Sequence, residues 1–304
     1  MTMVSGEFSK LLSVRDTYNQ IKMGWVDNDP PSMYGKLFNE SSKSLWETKD
    51  YGLIGLGEYQ DWDAESDTII PDDADTEYTW TYTMAYYALQ FAVTKKMQDF
   101  NQWDFVAKCA KSLGRAARQT IETQAFNVFN RAFNSSYTGG DGKELCATDH
   151  PNAYDGSNIA NEPSTATDFT PDALYAAINY YDTLEDERGH SISLTPRMIV
   201  AHPNNRKTIA EVLNSTLAPY TAENQKNFFT DLSLEAVFSS KLTDTDAWFV
   251  LTKKDQNGLN IFWKYKPQID HYVDNETKNI VYQGHFCRAI GWTGFRWIYG
   301  SPGA

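Results

Sequence analysis

The tightest set of reactive side chains in the sequence is a thiol and an imidazole, Cys146 and His150, four residues apart in a glycine-rich stretch. In a cysteine hydrolase the imidazole takes the proton of the thiol, and a third side chain orients the imidazole. Four residues of loop do not fix that geometry, so we interpret Cys146 and His150 as structural loop residues. A soluble cysteine-dependent hydrolase that uses this pair stays open as an alternative.

The other cysteines do not complete a metal site. Structural zinc takes four ligands at finger-like spacing, whereas Cys109 has no neighbouring cysteine or histidine and Cys287 has only His285, two residues away. Three cysteines without a CxxC motif fit a reducing compartment better than a disulfide framework. We therefore expect ordinary buried thiols, with no metal and no cofactor.

Four acidic residues alternate like the first ligands of a calcium-binding loop: Asp61, Asp63, Glu65 and Asp67. That motif also needs glycine at its sixth position and glutamate at its twelfth, where this sequence has Ser66 and Asp72. An exposed acidic hairpin tip over residues 61–75 explains the same side chains. Because the sequence also lacks the GxGxxG, P-loop, GxSxG and HExxH motifs, it predicts no catalytic residue.

The composition excludes several function classes. The formal net charge is -13 and the pI about 4.8, which argues against affinity for phosphate backbones, because that affinity depends on Lys and Arg. No basic N-terminal stretch precedes an apolar segment, so we expect a protein that is neither exported nor bound to a membrane. Aromatic residues make up 14% of the chain, which suits either a β-rich core or desolvated protein interfaces.

The elements that must position these residues begin with a long β-hairpin. Tyr78, Trp80, Tyr82 and Met84 alternate with smaller residues, which predicts a strand. The large residues then change parity, which predicts a bulge or bend near Tyr86. Residues 46–62 are a plausible partner strand. Because an isolated hairpin is only marginally stable in water, one with this many aromatic residues should lie on another surface.

A long helix follows the hairpin. Over residues 101–133 apolar residues recur at steps of three and four, with no proline and one glycine. Such a helix is about 50 Å long. After a loop at 134–168, the pattern predicts helices at 171–186 and 203–217. It also predicts strands at 193–201, 235–242 and 247–252, and extended segments at 259–265 and 280–286.

Residues 1–44 form a polar arm, because their short amphipathic pieces cannot build a core of their own. A polar terminus is ordered only where something ties it down. We expect this arm to be anchored on a neighbouring subunit.

In this order the elements resemble the Hong Kong 97 type capsid fold, an α+β fold, of the major capsid proteins of tailed bacteriophages. Four local sequences are similar to the head subunits of the Mu-type branch: residues 87–133 around LGRAA (113–117), the loop GDGKELCATDHP (140–151), LTPRMIVAHP (194–203), and 291–304 with its ending SPGA. The resemblance implies an N-terminal arm (1–44), an extended hairpin loop leading into a peripheral strand (45–93), a peripheral domain with a spine helix (94–168), an axial domain (169–258) and return strands of the peripheral domain (259–304).

The resemblance further implies a structural protein of the virion, assembled in the host cytoplasm, that is not an enzyme. Copies form the hexamers and pentamers of a shell around double-stranded DNA, which is not bound sequence-specifically. Each hairpin crosses the spine helix of a neighbour, with scaffolding, portal and possibly decoration proteins as further partners. The residues expected at subunit contacts are Trp46, Tyr51, Tyr59, Trp62, Tyr78, Trp80 and Tyr82.

Two features bear on how this resemblance is read. The sequence has no long helical extension before the arm, so we expect a separate scaffolding protein. An encapsulin-like bacterial compartment is similar in fold and holds cargo protein instead of a genome. The long acidic hairpin and the loop at 140–151 favour the phage branch over that alternative.

Overall fold

The structure, a computed structural model, describes residues 32–62, 68–100, 103–215 and 226–304, together with Asn19 and Met23. Most of the polar arm lies outside these ranges, as do three of the calcium-like acidic residues, Asp63, Glu65 and Asp67. What the sequence predicts for those residues therefore stays a prediction.

A 28-residue helix is the longest among the described residues, and it is the helix predicted at 101–133. It begins at Trp103 and ends at Asn130 because the chain then turns, with the Ala132 N–H donating to the Phe129 carbonyl at 3.1 Å. Its buried side chains follow the three-and-four spacing, as in Val106, Ala110 and Leu113. In chain order the α-helices are α1 Tyr34–Leu37, α2 Lys95–Asp99, α3 Trp103–Asn130, α4 Pro171–Asp182 and α5 Arg206–Asn214.

The two shorter predicted helices are present with changed limits. Thr170 caps α4 as its position suggests, since its Oγ1 accepts from the Ala173 N–H at 3.1 Å. That helix stops four residues before the predicted end, at Asp182. The segment predicted as one helix from residue 203 starts as a 3₁₀ turn, Pro203–Asn205, before α5 begins. The remaining 3₁₀ turns are Phe228–Leu232 and Lys254–Gln256.

One four-stranded sheet carries α3 on its face, in the order β1-β10-β11-β4. Its two long strands pair antiparallel and are joined by the predicted turn after residue 273, where Lys278 adopts a positive φ of 56°. The strand β1 pairs in parallel with β10. The strands are β1 Asn39–Ser42, β4 Ala85–Val93, β10 Leu259–Val273 and β11 Ile280–Trp292.

A second four-stranded sheet has the order β12-β9-β7-β8 and supports α4 and α5. Its central strands are buried along most of their length, as the apolar runs of the sequence predict. Its members are β7 Pro196–Ala201, β8 Glu235–Phe238, β9 Trp248–Thr252 and β12 Ile298–Ser301. A two-residue ladder inside the loop pairs β5 His150–Pro151 with β6 Asn158–Ile159.

The predicted hairpin is confirmed as an antiparallel ribbon of β2 Glu47–Ile54 and β3 Asp75–Thr83. The predicted break in parity falls at Met84, two residues before Tyr86, where the chain leaves the ribbon and enters β4. The Met84 N–H donates to the Trp46 carbonyl at 3.0 Å, which closes the base of the ribbon. The ribbon therefore continues directly into the sheet that carries α3.

The core joins α3 to both sheets. Phe129 of α3 contacts Phe249 of β9, with ring centroids 5.2 Å apart. Residues of β10 and β11, among them Ile261 and Phe286, complete the same cluster. The helix is thus the element against which both sheets are packed.

The last part of the predicted arm is anchored in its own subunit rather than on a neighbour. Leu37 and Phe38 are fully buried in the core around α3. Glu122 of α3 accepts from the Met33 N–H at 2.9 Å and from the Ser32 hydroxyl at 2.9 Å. Any arm that reaches a neighbour therefore ends before residue 32.

Candidate assembly surface

The ribbon, defined here as residues 47–62 and 68–83, has an inner face that is buried in its own subunit. Trp80 and Tyr82 are each 4% exposed and pack with Phe262 and Cys287. The ring of Tyr82 meets that of Phe262 edge-on at 4.7 Å, and its hydroxyl lies 2.6 Å from Thr293 Oγ1. These two aromatic residues were expected at subunit contacts, but they are inside the subunit and offer a neighbour almost no surface.

The strand β2 presents the opposite pattern to a normal surface strand. Three of its four inward positions carry small or polar residues, Thr48, Asp50 and Gly52, and only the last, Ile54, is apolar and buried. Tyr51 and Leu53 point outward and are exposed. In a half-buried strand the apolar residues ordinarily face the core. Apolar side chains that a strand directs away from its own core are available to a second surface.

Beyond β2 the exposed apolar surface continues to the limit of the described residues. Tyr59 and Trp62, expected at subunit contacts, are 106% and 53% exposed, and Trp46 and Tyr51 are exposed as well. Tyr78 is half-buried against the cluster under the ribbon. We missed further exposed apolar residues, which lie among the glycines and the acidic residues of the same stretch: Leu53, Leu56, Ile69 and Ile70. Their signal is an apolar side chain in a segment whose composition otherwise indicates a solvated tip.

The base of the ribbon adds one more exposed aromatic pair. Trp46 stacks on Tyr86, with centroids 6.1 Å apart and planes inclined by 22°. The sequence predicts only a bulge or bend near Tyr86. In the structure its side chain is 64% exposed at the start of β4. Its position just after the parity change places it on the outer side.

The far half of the ribbon is held by charged contacts with the turn at 184–190. Arg188 Nη1 donates to Asp72 Oδ2 at 2.9 Å, and Arg188 Nη2 donates to the Asp73 carbonyl at 3.0 Å. The Gly57 N–H donates to Asp72 at 2.8 Å, and this bond, together with Arg188, lowers the pKa of the Asp72 carboxyl. These contacts hold the ribbon against its own subunit as far as residues 72 and 73.

The pair Cys146 and His150 does not have the geometry of a nucleophile and its base. Cys146 is fully buried, and that burial raises the pKa of its thiol well above the usual value. His150 Nδ1 lies 2.6 Å from Asp141 Oδ2, and its Nε2 lies 3.2 Å from Asn161 Oδ1. Since oxygen acceptors occupy both ring nitrogens, neither nitrogen is left to deprotonate Cys146.

The same contacts explain why the glycine-rich loop has a defined path. The ring of His150 stacks on Phe295 at 3.9 Å, and Asn161 Nδ2 donates to the carbonyls of Leu145 and Phe295 at 2.9 Å and 3.3 Å. Lys143 pairs with Asp149 within the loop. Side chains thus satisfy the backbone where a regular ladder does not.

No metal centre and no membrane span emerge from the part of the chain that the structure describes. There, no three His, Cys, Asp or Glu side chains come together as ligands for an ion. Within the same ranges, every helix is too short or too polar to cross a bilayer.

A groove runs between α3 and the sheet on which it packs. Its volume is about 620 Å³, and its walls include Leu113 and Ala117 of the helix, Leu89 of β4 and Phe286 of β11. Small side chains on this face of α3 leave the groove open. Its lining is mostly apolar, with Gln268, Asp270 and His285 among its polar members, and the outer face of the ribbon could cover it.

Comparison with known proteins gives one family match. Residues 77–300 match the model of a family described as phage capsid protein, a range that holds α3, most of β3 and the two four-stranded sheets apart from β1 and the last residue of β12. No curated protein matches the sequence.

Solved structures share the architecture at low identity. The capsid of the cyanophage P-SCSP1u is 10% identical, with a TM-score of 0.62 over 88% of this chain and 87% of that chain. A protein of Microbacterium phage Oxtober96 is 9% identical, with a TM-score of 0.55 over 89% and 90%. A virus-like particle from Pyrococcus furiosus is 8% identical, with a TM-score of 0.56 over 93% and 96%. The predicted α+β fold of the Hong Kong 97 type is confirmed.

Proposed function

The chain belongs to the phage capsid protein family, and from that premise we propose that its copies form the hexamers and pentamers of a closed head that encloses double-stranded DNA. It is a structural subunit of a phage shell that many copies build. The observation that carries the finer proposal is the outer face of the ribbon, where large apolar side chains stay half or more exposed in their own subunit. Ring-shaped capsomers place such a face on the next copy by rotation.

The receiving surface that we propose is the groove beside α3 of the next copy. Its walls are mostly apolar, with Leu113 and Ala117 on the helix and Phe286 on the sheet. Tyr51, Tyr59 and Trp62 of the ribbon supply large side chains of the type that dominates the centres of interfaces. Among the residues expected at contacts, this proposal depends on the four exposed ones, Trp46, Tyr51, Tyr59 and Trp62, and Tyr78 is half-buried. Trp80 and Tyr82 instead pack the ribbon against its own subunit.

The proposal also assigns a role to each part of the chain. The proposed parts are the hairpin loop and the strand that it enters (45–93), the peripheral domain (94–168 and 259–304) and the axial domain that meets its copies at the capsomer centre (169–258). The strand β12 departs from this division, because it pairs with β9 in the axial sheet. Residues 1–44 are the proposed arm, of which residues 33–42 pack against their own subunit. The proposed partners are a separate scaffolding protein, a portal and decoration proteins, and the proposed site of assembly is the host cytoplasm.

The charge supports a container that does not grip its contents. With a formal net charge of -13 the chain lacks the excess of Lys and Arg that releases counterions from DNA. A wall of the same sign as the DNA repels it. We therefore propose enclosure without sequence-specific binding.

Negative-stain microscopy of the purified full chain tests the shell directly. We expect closed particles of uniform diameter at concentrations where the protein associates, together with capsomer-sized species on size-exclusion chromatography. A monomer that stays uniform at all concentrations would contradict the proposal.

An encapsulin-like container is the second candidate, favoured by the likeness to the virus-like particle from Pyrococcus furiosus. The two containers differ in what they hold. Particles purified from the native source should protect double-stranded DNA from nuclease if the chain builds a phage head. Nuclease-insensitive particles filled with a defined protein would favour the compartment instead.

We also propose that the chain has no enzymatic role, and replacing Cys146 tests this. The Cys146→Ala variant should still form closed particles, because the thiol is buried and His150 is engaged elsewhere. The expected cost is about 1 kcal/mol of stability from the lost sulfur contacts. The measurement is particle yield by microscopy, beside hydrolysis of a panel of ester and peptide substrates. A hydrolytic activity that the wild type has and this variant lacks would contradict the proposal.

A further inference from the structure

We propose that Glu77, Glu187 and Arg296 form a pH-sensitive clasp that fixes the ribbon against its own subunit and releases it as the pH rises. The inference deepens the proposed function and rests on it, since the released ribbon is the element that contacts the next copy. The three residues, called the carboxyl clasp from here on, come from β3, from the turn at 184–190 and from the turn before β12.

The geometry of the carboxyl clasp sets two carboxyl groups on one guanidinium. Arg296 Nη1 donates to Glu187 Oε1 at 2.6 Å and to Glu77 Oε1 at 3.3 Å, while its Nε donates to the Glu185 carbonyl at 3.1 Å. The side chains of Glu77, Glu187 and Arg296 are 11%, 11% and 12% exposed. One cation thus faces two acids in a site with little water, and it can neutralise only one of them.

The ribbon is shaped to admit the carboxyl group of Glu77. Gly52 lies across from it on β2, and a Cβ atom at that position would come within 1.8 Å of Glu77 Oε2. Replacing Gly52 by any other residue would therefore displace the Glu77 carboxyl group from Arg296. The absence of a side chain at residue 52 places Glu77 under the ribbon, although a glutamate would otherwise seek water.

The remaining charged groups around the carboxyl clasp reinforce the ribbon without competing for Arg296. From the turn at 184–190, Arg188 binds Asp72 at 2.9 Å, and His190 Nδ1 lies 3.5 Å from Glu58. Other titratable or charged groups on the packed elements include Lys49, Asp50, Asp73, Asp75, Tyr78, Asp141, Tyr180, Glu185 and Asp186. Among the described residues, Arg296 is the cation that bonds directly to Glu77 and Glu187.

The direction of the pH effect follows from the proton affinity of Glu77. Burial, and then the charge of Glu187, raise the pKa of Glu77 from 4.5 to about 7, against the opposing effect of Arg296. In a detached ribbon the carboxyl group would return to its ordinary value, so the docked ribbon binds the proton more tightly. Docking is therefore strongest below pH 4.5, weakens as the pH rises through 7, and is weakest at alkaline pH.

Hydrogen exchange of the full-length, unassembled chain measures this release. We expect the amides of β2 and β3 to be protected on the order of tenfold more at pH 5.5 than at pH 8, after correction for chemical exchange, because one pKa unit corresponds to a factor of ten in binding. The Glu77→Gln variant keeps a neutral group beside Arg296. In it the protection should equal the acid value of the wild type at both pH values.

Two variants serve as matched controls. Glu47→Gln makes the same change at an exposed position of the same ribbon, outside the clasp. His190→Gln removes the imidazole beside Glu58. It is a useful control because histidine side chains in general change charge in the same pH range. Both should keep the pH dependence of the wild type. A dependence that persists in Glu77→Gln, disappears in His190→Gln or is absent from the wild type would overturn the carboxyl clasp.

The two proposals fail separately. Microscopy reports on closed particles, and hydrogen exchange of the unassembled chain reports on the ribbon alone. Particles from a wild type whose ribbon shows no pH dependence would leave the shell standing and remove the clasp. If the protection of the ribbon depends on pH but the chain never assembles, the carboxyl clasp stands and the shell proposal fails.

Discussion

Replacing both Tyr59 and Trp62 by aspartate should abolish closed particles while the subunit stays folded. Tyr59 is fully exposed and Trp62 is 53% exposed on the ribbon, so replacing them removes less packing from their own subunit than a core substitution does. In the assembled shell they would be buried, and a carboxylate in a desolvated contact is costly. We expect the yield of particles to fall by at least about tenfold, since about 1.4 kcal/mol of lost contact energy is enough for that change.

Two measurements separate this result from misfolding. The melting temperature of the double variant should lie within about 2 °C of the wild type, as is usual for surface substitutions. The matched control replaces Tyr59 and Trp62 by phenylalanine, which keeps the apolar area and the aromatic rings. It should assemble nearly as the wild type does. Normal particles from the aspartate variant would show that the outer face of the ribbon is not the contact.

The elements of this fold were predictable where local pattern decides the structure. The three-and-four spacing of Val106, Ala110 and Leu113 fixes a helix whatever surrounds it. The alternation through Trp80 and Tyr82 fixes a strand, and the change of parity after it fixes a break. Only the position of that break, Met84, depended on where the ribbon meets the sheet.

The candidate contact residues were predictable only in part, because alternation does not say which face is covered. The alternation predicts that Trp80 and Tyr82 face a partner, and residues far along the same chain supply it. Phe262 and Thr293, which contact Tyr82, are 180 and 211 residues away from it. The exposed Leu53 was overlooked, since nothing in the sequence marks β2 as turned outward. Which face of a strand is buried depends on the tertiary fold, whereas a single sequence reveals only that large and small side chains alternate.

Long-range charged groups were beyond the reach of sequence reasoning. Arg296 is separated by 219 residues from Glu77 and by 109 residues from Glu187, so no spacing rule connects them. Gly52 gave no signal either, because a glycine in a strand indicates a bulge as readily as a close approach. For the loop around His150 the sequence predicts a structural role, but it carries no signal for Asn161 as the second partner of the imidazole.

The inner face of the ribbon leads to an effect on stability. Replacing Trp80 by alanine should destabilise the subunit by about 3–5 kcal/mol, the usual cost of emptying a buried tryptophan site. The glycine pair at 139–140 lies directly over this ring, since a Cβ at Gly140 would come within 3.2 Å of Trp80 Cδ2. The surrounding backbone therefore has little freedom to collapse into the space.

Thermal unfolding of the purified subunit measures this effect, and we expect a melting temperature lower by roughly 10 °C. The matched control is Tyr51→Ala on the facing strand, where the exposed ring should contribute within about 0.5 kcal/mol to stability. The two aromatic residues are offset by one position in the register of the same ribbon and lie on opposite faces, so one should act on folding and the other on assembly. A wild-type melting temperature for Trp80→Ala would mean that the ribbon is not packed on its own subunit. In that case the inner face would be free for a neighbour, as the sequence alone had suggested.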